Sequence, residues 1–412
     1  MLQRANAGQR RSARPALDRL ESREMLSTAS GHAEVSALRA HSQAHVSILG
    51  QLPVAPSRTA STVPANGDQN PYGVAFVPDG VARGGLLRPG DVLVSNFNNA
   101  TIPADNADAA PTGNLQGTGT TIVRIAADNT QSVFYQGPPG VGFANGLAVL
   151  KSGYVIAGTV PSTDGTPATV GRGEILFFNK SGAVVGQFSD PALQGPWGLT
   201  VVDEGAHAQV FVSNVLNGTV SRFNVFMSSQ GGIQVKSATR IGSGFPHRGD
   251  PVAFEVGPGG LAYDAGSGNL YVASAADDSI YAIRDALHTR ADRGTGRLVV
   301  HDDTHLHGPV GLALASDGHL IAANADGNNA NPADPSTLVE YTQGGRFVNN
   351  FSLNRTNGAA FAVAVTRGPR PFLAAVNDAD GTVTVYQVHG THPIAPAPVT
   401  PTPPPPVLFA RA

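Results

Sequence analysis

One phrase returns along this chain. It is clearest in "GPVGLALASDGHLIAAN" at residues 308–324: Gly-Pro, a bulky residue, Gly-Leu-Ala, a turn, then a short apolar strand ending in Asn. It comes back as "GPWGLTVVDEGAHAQVFVSN" (195–214) and "GPGGLAYDAGSGNLYVAS" (257–274). Looser copies are "NPYGVAFVPDG" with "DVLVSNFN" (70–98), "ANGLAVLKSGYVIAG" (144–158) and "NGAAFAVAV" with "FLAAVN" (357–377). Such a recurrence restricts the chain to a repeat architecture, because each copy must be one supersecondary unit that buries its apolar face against its neighbours.

Each copy carries four β signals. The first strand follows the Gly-Leu-Ala phrase, and the second is the run ending in Asn or Ser. The third is typified by "TVSRFNV", "SIYAI", "TLVEY" and "TVTVY", and the fourth by "VVGQF", "RLVV" and "FVNNF". Turn pairs such as Asp79-Gly80, Ser152-Gly153 and Asp317-Gly318 separate the first two strands and supply the positive φ of a tight reversal. The first two strands are almost wholly apolar, as strands buried on both faces are, whereas the third and fourth alternate with polar residues. No stretch of useful length has a 3.6-residue period.

The small residue of the phrase falls at Gly73, Gly146, Gly198, Gly260, Gly311 and Ala360, with spacings of 73, 52, 62, 51 and 49 residues. Equal phrases at unequal spacing place the insertions in loops. Four antiparallel strands repeated six times predict an all-β, six-bladed β-propeller over residues 45–389. The recurrent small residue belongs where innermost strands crowd the central channel. The sixth unit shows three strands and then turns to proline, so the last blade is expected to be closed by an N-terminal strand. Residues 46–49, "VSIL", pairing with 382–386, are the segment the pattern suggests.

Composition bounds the rest. Charged residues make up 14% of the 412, with 49 Gly and 31 Pro, a profile of short strands and tight turns. Net charge is −3 with no long basic run, which excludes a phosphate-backbone footprint and a nucleic-acid partner. The absence of cysteine excludes disulfides and thiolate metal sites. No apolar run approaches the roughly 18 residues of a membrane span. Residues 1–44 read as a disordered leader and 390–412, rich in proline, as an extended tail. A monomer is expected.

The phrase "P-x-G-L/V-A", turn, "L-Y/F/I-V-A/S-N/S", loop, "x-V/I-x-x-F/Y" resembles the NHL-repeat propellers and the wider six-bladed calcium-dependent phosphotriesterase-like superfamily. That resemblance implies a scaffold shared by enzymes, ligand binders and protein-interaction modules. Separately, Leu20, Glu21, Arg23, Leu26 and Ser27 resemble the "L-E-x-R-x-L-L-S" leader of bacterial surface or exported proteins, with Met25 departing from the usual Leu. The implied location is extracellular or at the cell surface.

Candidate functional residues follow from the expected topology. Asn96, Asn214, Asn324 and Asn377 end second strands, and Asn145 enters a first strand, so all should ring one channel mouth. Asn carbonyls can ligate a hard cation such as Ca²⁺, and Asn equally satisfies backbone groups where a strand stops. "HDDTHLHGPVG" (301–311) is the densest titratable stretch. In an extended chain His305 and His307 share a face, with Asp302 and Asp303 placed to orient them. Arg248-Gly249-Asp250 matches an adhesion tripeptide, a match short enough to arise by chance.

The enzyme members of the superfamily find weak echoes. Lactonase-like members place a Glu ahead of "G-P-x-W" to hold Ca²⁺; here Gln194-Gly195-Pro196-Trp197 has Gln instead and Trp one place early. Peptide-amidating lyases bring several blade-entrance histidines to Zn²⁺; here only His307 stands at such an entrance. The leading expectation is therefore an exported or surface-associated module that binds a small molecule, glycan or protein through the rim of Asn96, Asn145, Asn214, His307, Asn324 and Asn377, with Ca²⁺ in the channel as a possible cofactor. The alternative is a metal-dependent hydrolase or lyase with its site in the channel.

Overall fold

The computed structural model describes residues 47–102, 112–228, 232–368 and 370–388. The leader at 1–44 and the tail at 390–412 lie outside them. The described residues form six four-stranded antiparallel sheets and contain no α-helix. The innermost strands are Gln69–Phe76, Phe143–Val149, Pro196–Asp203, Pro258–Asp264, Pro309–Leu314 and Val363–Val365. Each begins a blade, numbered 1 to 6 in that order, and the ring is the expected six-bladed propeller.

The core is a set of layers between blades. Val74, Val94 and Val123 of blade 1 pack against Ala374, Val376 and Val385 of blade 6, closing the ring. Corresponding layers join blades 1 and 2, 2 and 3, 3 and 4, 4 and 5, and 5 and 6. Second strands such as Val92–Asn98 and Leu320–Asn324 are buried at every position, and outer strands such as Val184–Phe188 are half exposed. Third strands are buried more completely than their alternation suggests: Ile175–Phe178 and Thr337–Tyr341 have no exposed position.

Closure of the last blade falls to a different segment from the one suggested by "VSIL". The strand is Arg58–Ser61, paired with Thr382–Gln387 in the register Arg58↔Val385 to Ser61↔Thr382. Of 46–49, Val46 lies outside the described residues. Ile48 precedes a 3₁₀ turn, Leu49–Gln51, and both Ile48 and Leu49 are buried against blades 5 and 6. Adjacent residues of a strand point to opposite faces, so two neighbouring buried side chains suit a helical turn better. The outer position of a blade instead takes "RTAS", which alternates between half-buried and exposed.

The sixth small residue of the repeat is Ala362, not Ala360. Leu312 pairs with Ala322, two places before Asn324, and Val363 pairs with Ala375, two places before Asn377. Val363 thus matches Leu312 and Ala362 matches Gly311, restoring a spacing of 51 residues (362 − 311) equal to that between Gly260 and Gly311. The small residue is demanded by close approach. A Cβ on Gly198 would sit 2.3 Å from the Gly259 carbonyl oxygen of the next blade. Ser213 stitches the same junction, its hydroxyl accepting from Gly198 N (3.0 Å) and donating to Gly259 O (2.6 Å). In blade 1 Ser95 does the same between Gly73 N and Ala144 O.

Candidate functional site: an acidic pocket above an aromatic plate

Strand register shifts between the Pro and the Gly or Leu of the phrase, at Pro71/Gly73, Pro196/Leu199 and Pro309/Gly311 among others. The residue at this bulge re-aims its side chain. Bulge residues Tyr72 and Trp197 meet Phe361, which precedes the first strand of blade 6, at the top of the channel. Tyr72 stacks on Phe361 with centroids 4.3 Å apart and on Phe97 at 4.4 Å, and meets Trp197 edge-on at 5.6 Å. Phe254, at φ 67°, completes the cluster against Phe97 and Trp197. Asn145, at the blade 2 bulge, donates from Nδ2 to the carbonyls of Tyr72 (3.1 Å) and Phe361 (2.7 Å). This plate divides the channel into two cavities.

The upper cavity, about 500 Å³, has Tyr72, Trp197 and Phe361 in its wall. Glu255, Asp326 and Asp378 line it, and among the described residues no Lys, Arg or His does. Glu255 is 6% exposed, and its carboxylate has no hydrogen bond or ion pair among the described residues. Burial pushes its pKa up to about 7, and that of Asp378 up to about 6. Burial also raises the Asp326 carboxyl, against the hydrogen bonds that its Oδ2 accepts from Gly358 N (2.9 Å) and Ser336 N (3.0 Å). Among the described residues its Oδ1 is buried without a partner, as are the Oδ1 atoms of Asn70 and Asn98 in the same lining. Asn70 holds φ 61°, an uncommon conformation for a non-glycine residue inside a strand. Burial, with Asp378 nearby, raises the Tyr72 phenol, and the neighbouring Asn70 side chain offsets part of that rise.

The loops that build this pocket are insertions visible in the sequence. The one after the second strand of blade 1, which ends at Asn98, supplies Asn114 and Gln116; the one after Asn324 supplies Asp326 and Ala330. A hairpin, Arg248–Asp250 with Phe254–Val256, brings Glu255. That hairpin contains the Arg-Gly-Asp tripeptide, whose Asp250 carboxylate accepts from Val252 N and Ala253 N (both 2.9 Å) and so holds its own turn.

Of the residues expected at the rim, Asn96, Asn214 and Asn324 are fully buried staples. Asn214 accepts from Gln194 N (3.0 Å) and donates to Thr219 Oγ1 (3.1 Å). Asn324 accepts from His307 N (3.1 Å) and donates to Thr337 Oγ1 (2.9 Å), and Asn96 donates to Thr121 Oγ1 (3.1 Å). Each ties the end of a second strand to the start of the third. Asn377 donates instead to Asp380 Oδ2 (2.8 Å). Asn145 alone of the set faces the channel, and its amide is committed to the plate. His305 and His307 do not share a face. Leu306 N bonds back to Asp302 O, making a turn in which His305 stacks on Phe347 at 3.8 Å while the buried His307 reaches Asn329 O at 2.6 Å. Asp302 does orient His305, with Oδ2 2.8 Å from Nδ1.

Among the described residues one group of three acids and histidines has ligand atoms within 4.8 Å of one another: Asp317, His319 and Glu340. Its geometry is that of an anchor. Glu340 accepts from Ile48 N and Leu49 N (both 2.9 Å) and Ser47 Oγ (2.6 Å), with His319 Nδ1 at 2.6 Å. Burial opposes its charge, but these hydrogen bonds prevail and hold its pKa below the ordinary value. The group fastens the N-terminal turn to blade 5.

No protein-family model matches the sequence, and no curated protein does. Among solved structures, a protein provisionally named a gluconolactonase is similar with a TM-score of 0.46 and 15% identity, over 82% of this chain and 96% of that one. A luciferin-regenerating enzyme gives 0.45 and 9%, over 82% and 96%. A glucose dehydrogenase gives 0.45 and 13%, over 81% and 100%. At such identities nothing about chemistry passes from those proteins to this chain.

Proposed function

We propose that this propeller is an exported or surface-associated binding module that takes a small, positively charged ligand in its upper pocket. The observation that carries this reading is the lining: among the described residues it has three carboxyl groups and no cationic side chain, with aromatic rings beneath. A cation there would favour the ionised form of carboxyl groups whose charge burial disfavours, and aromatic faces attract organic cations. Glu255 and Asp378 would make the charge contact, while Asp326, fixed by Ser336 and Gly358, would set its position.

A second reading, a metal-dependent hydrolase or lyase, is favoured by the orphaned oxygens of Asn70, Asn98 and Asp326. With the carboxylates they form an all-oxygen donor set, which suits a hard cation such as Ca²⁺. The three carboxylates do not, however, approach one another within 4.8 Å as a ready-made shell would. Such an ion would polarise a bound carbonyl or ester oxygen.

The test is calorimetry on the chelator-treated full chain with CaCl₂ and, separately, choline. Binding of either should weaken at least tenfold in Glu255→Gln/Asp378→Asn. Undiminished binding in that variant, or binding of neither cation by the unaltered chain, would overturn the proposal. Preference for CaCl₂ over choline would select the second reading.

A further inference from the structure

Below the plate the channel is a different environment. Its cavity measures about 1040 Å³. The residue after the small one of each repeat forms a ring around it: Val74, Leu147, Leu199, Leu261, Leu312 and Val363. These side chains are 5–9% exposed, so each shows a narrow apolar strip to the cavity. Apolar surface left against water is unfavourable, and a ligand with an apolar body would cover part of it. The closed end offers few hydrogen bonds, since the Asn145 amide N–H groups are already given to Tyr72 and Phe361.

The mouth at the other end is charged. Lys151, Arg367 and Arg370 line it, and their side chains have no hydrogen bond or ion pair among the described residues. Arg58 joins them, steadied by the carbonyls of Ala126 (2.9 Å) and Gly90 (2.7 Å). Two acids share the mouth, Asp79 and Asp128, and Asp128 is partly occupied by Thr130 N at 3.0 Å. Four cations against two carboxylates favour an anionic head at this end. Pockets of several hundred to about 1,000 Å³ with apolar walls and a few placed polar groups are the usual form of a small-molecule site.

We propose that the lower half of the channel is a second binding site, separate from the acidic pocket, for a small amphiphilic anion: an apolar chain within the six-residue ring and a carboxylate at the basic mouth. The site is independent of whether the upper pocket binds a cation.

The experiment is calorimetric titration of the full chain with sodium dodecanoate below its micellar range, with dodecylammonium as the oppositely charged arm. Dodecanoate should bind one to one and at least tenfold more tightly than dodecylammonium. Arg367→Glu/Arg370→Glu should weaken it at least tenfold. Leu261→Trp should fill the ring and abolish it, with Leu312→Phe as a milder variant should the first not fold. Glu255→Gln, above the plate, should leave it unchanged. No dodecanoate binding, equal affinity for dodecylammonium, or full affinity in a folded ring variant would each overturn the proposal.

Discussion

The Asn145 side chain lies 2.7 Å from the carbonyl of Phe361, a hydrogen bond from blade 2 to blade 6 that passes over blade 1. Its second N–H reaches Tyr72 O of blade 1 itself. One half-buried amide therefore links three blades at the point where an aromatic plate closes the channel. Removing it would leave two carbonyls short of a donor, at a cost of about 1–3 kcal/mol. Asn145→Ala should lower stability to urea by that amount. Trp197, the only tryptophan in the chain, sits in the plate and is 2% exposed. Quenching of its fluorescence by acrylamide should rise in the variant, and unchanged quenching would mean that the plate does not depend on Asn145.

The inner glycines should be far less replaceable than those outside. A Cβ on Gly198 meets a backbone oxygen at 2.3 Å, whereas one on Gly186, in the outer strand of blade 2, first meets the Ile233 side chain at 3.2 Å. Backbone cannot step aside as a side chain can. Gly198→Ala should cost about 3 kcal/mol or more, in the range of a strained core substitution. Gly186→Ala should cost less than about 1 kcal/mol. Denaturant midpoints of the two variants check this directly.

The N-terminal segment has two separable roles. A chain starting at Ser57 lacks the buried Ile48 and Leu49 and the donors that Glu340 accepts from Ser47, Ile48 and Leu49. Burial of two such side chains contributes roughly 3–6 kcal/mol, so melting should fall sharply relative to a chain starting at Ser47. A chain starting at Val63 also loses Arg58–Ser61 and bares the edge of Thr382–Gln387. Open edges template association, so this shorter chain should aggregate, read by light scattering. Equal behaviour of the two truncations would place closure of the ring elsewhere.

What could be read from the sequence tracks where the physics is local and repeated. The Gly-Leu-Ala phrase and the terminal Asn recur because every blade meets the same crowding and the same strand end, so six copies reveal the ring. The identical Asn residues looked like a binding rim because sequence shows the residue type but not whether the amide is already committed; Asn214 and Asn324 are fully engaged within their blades. Ala359, Ala360 and Ala362 are all small, and only strand register picks out Ala362 over Ala360 as the counterpart of Gly311. The acids of the upper pocket are single residues on distant loops: "AFEVGP", "AANADG" and "AVNDADG". An acid isolated in an apolar run was the available signal for Glu255. Nothing in the spacing says that it and Asp378 line one cavity.

The upper pocket should mark the pH dependence of stability. Burial raises Glu255 from an ordinary 4.5 to about 7 and Asp378 from 3.8 to about 6. The unfolded chain has the ordinary values, so between about pH 4 and pH 7 the folded protein holds more protons than the unfolded one. Stability then falls as pH rises through that window. The penalty is absent below the ordinary values and complete above about 7. One pKa unit corresponds to about 1.4 kcal/mol, and contact with water through the pocket mouth reduces the effect. Glu255→Gln, which cannot ionise, should therefore be more stable than the unaltered chain by about 1–2 kcal/mol at pH 8. At pH 4 the two should be nearly equal. Lowered carboxyls elsewhere, such as Glu340 and Asp302, slope the other way, but they are common to both proteins and cancel in the difference. A bound cation should favour the ionised form, so affinity for it should rise between pH 6 and pH 7 and its saturation should flatten the loss of stability. Urea titrations at pH 4, 6 and 8, with and without cation, measure both. A Glu255→Gln difference that does not change with pH would show that this carboxyl is not protonated in the folded protein.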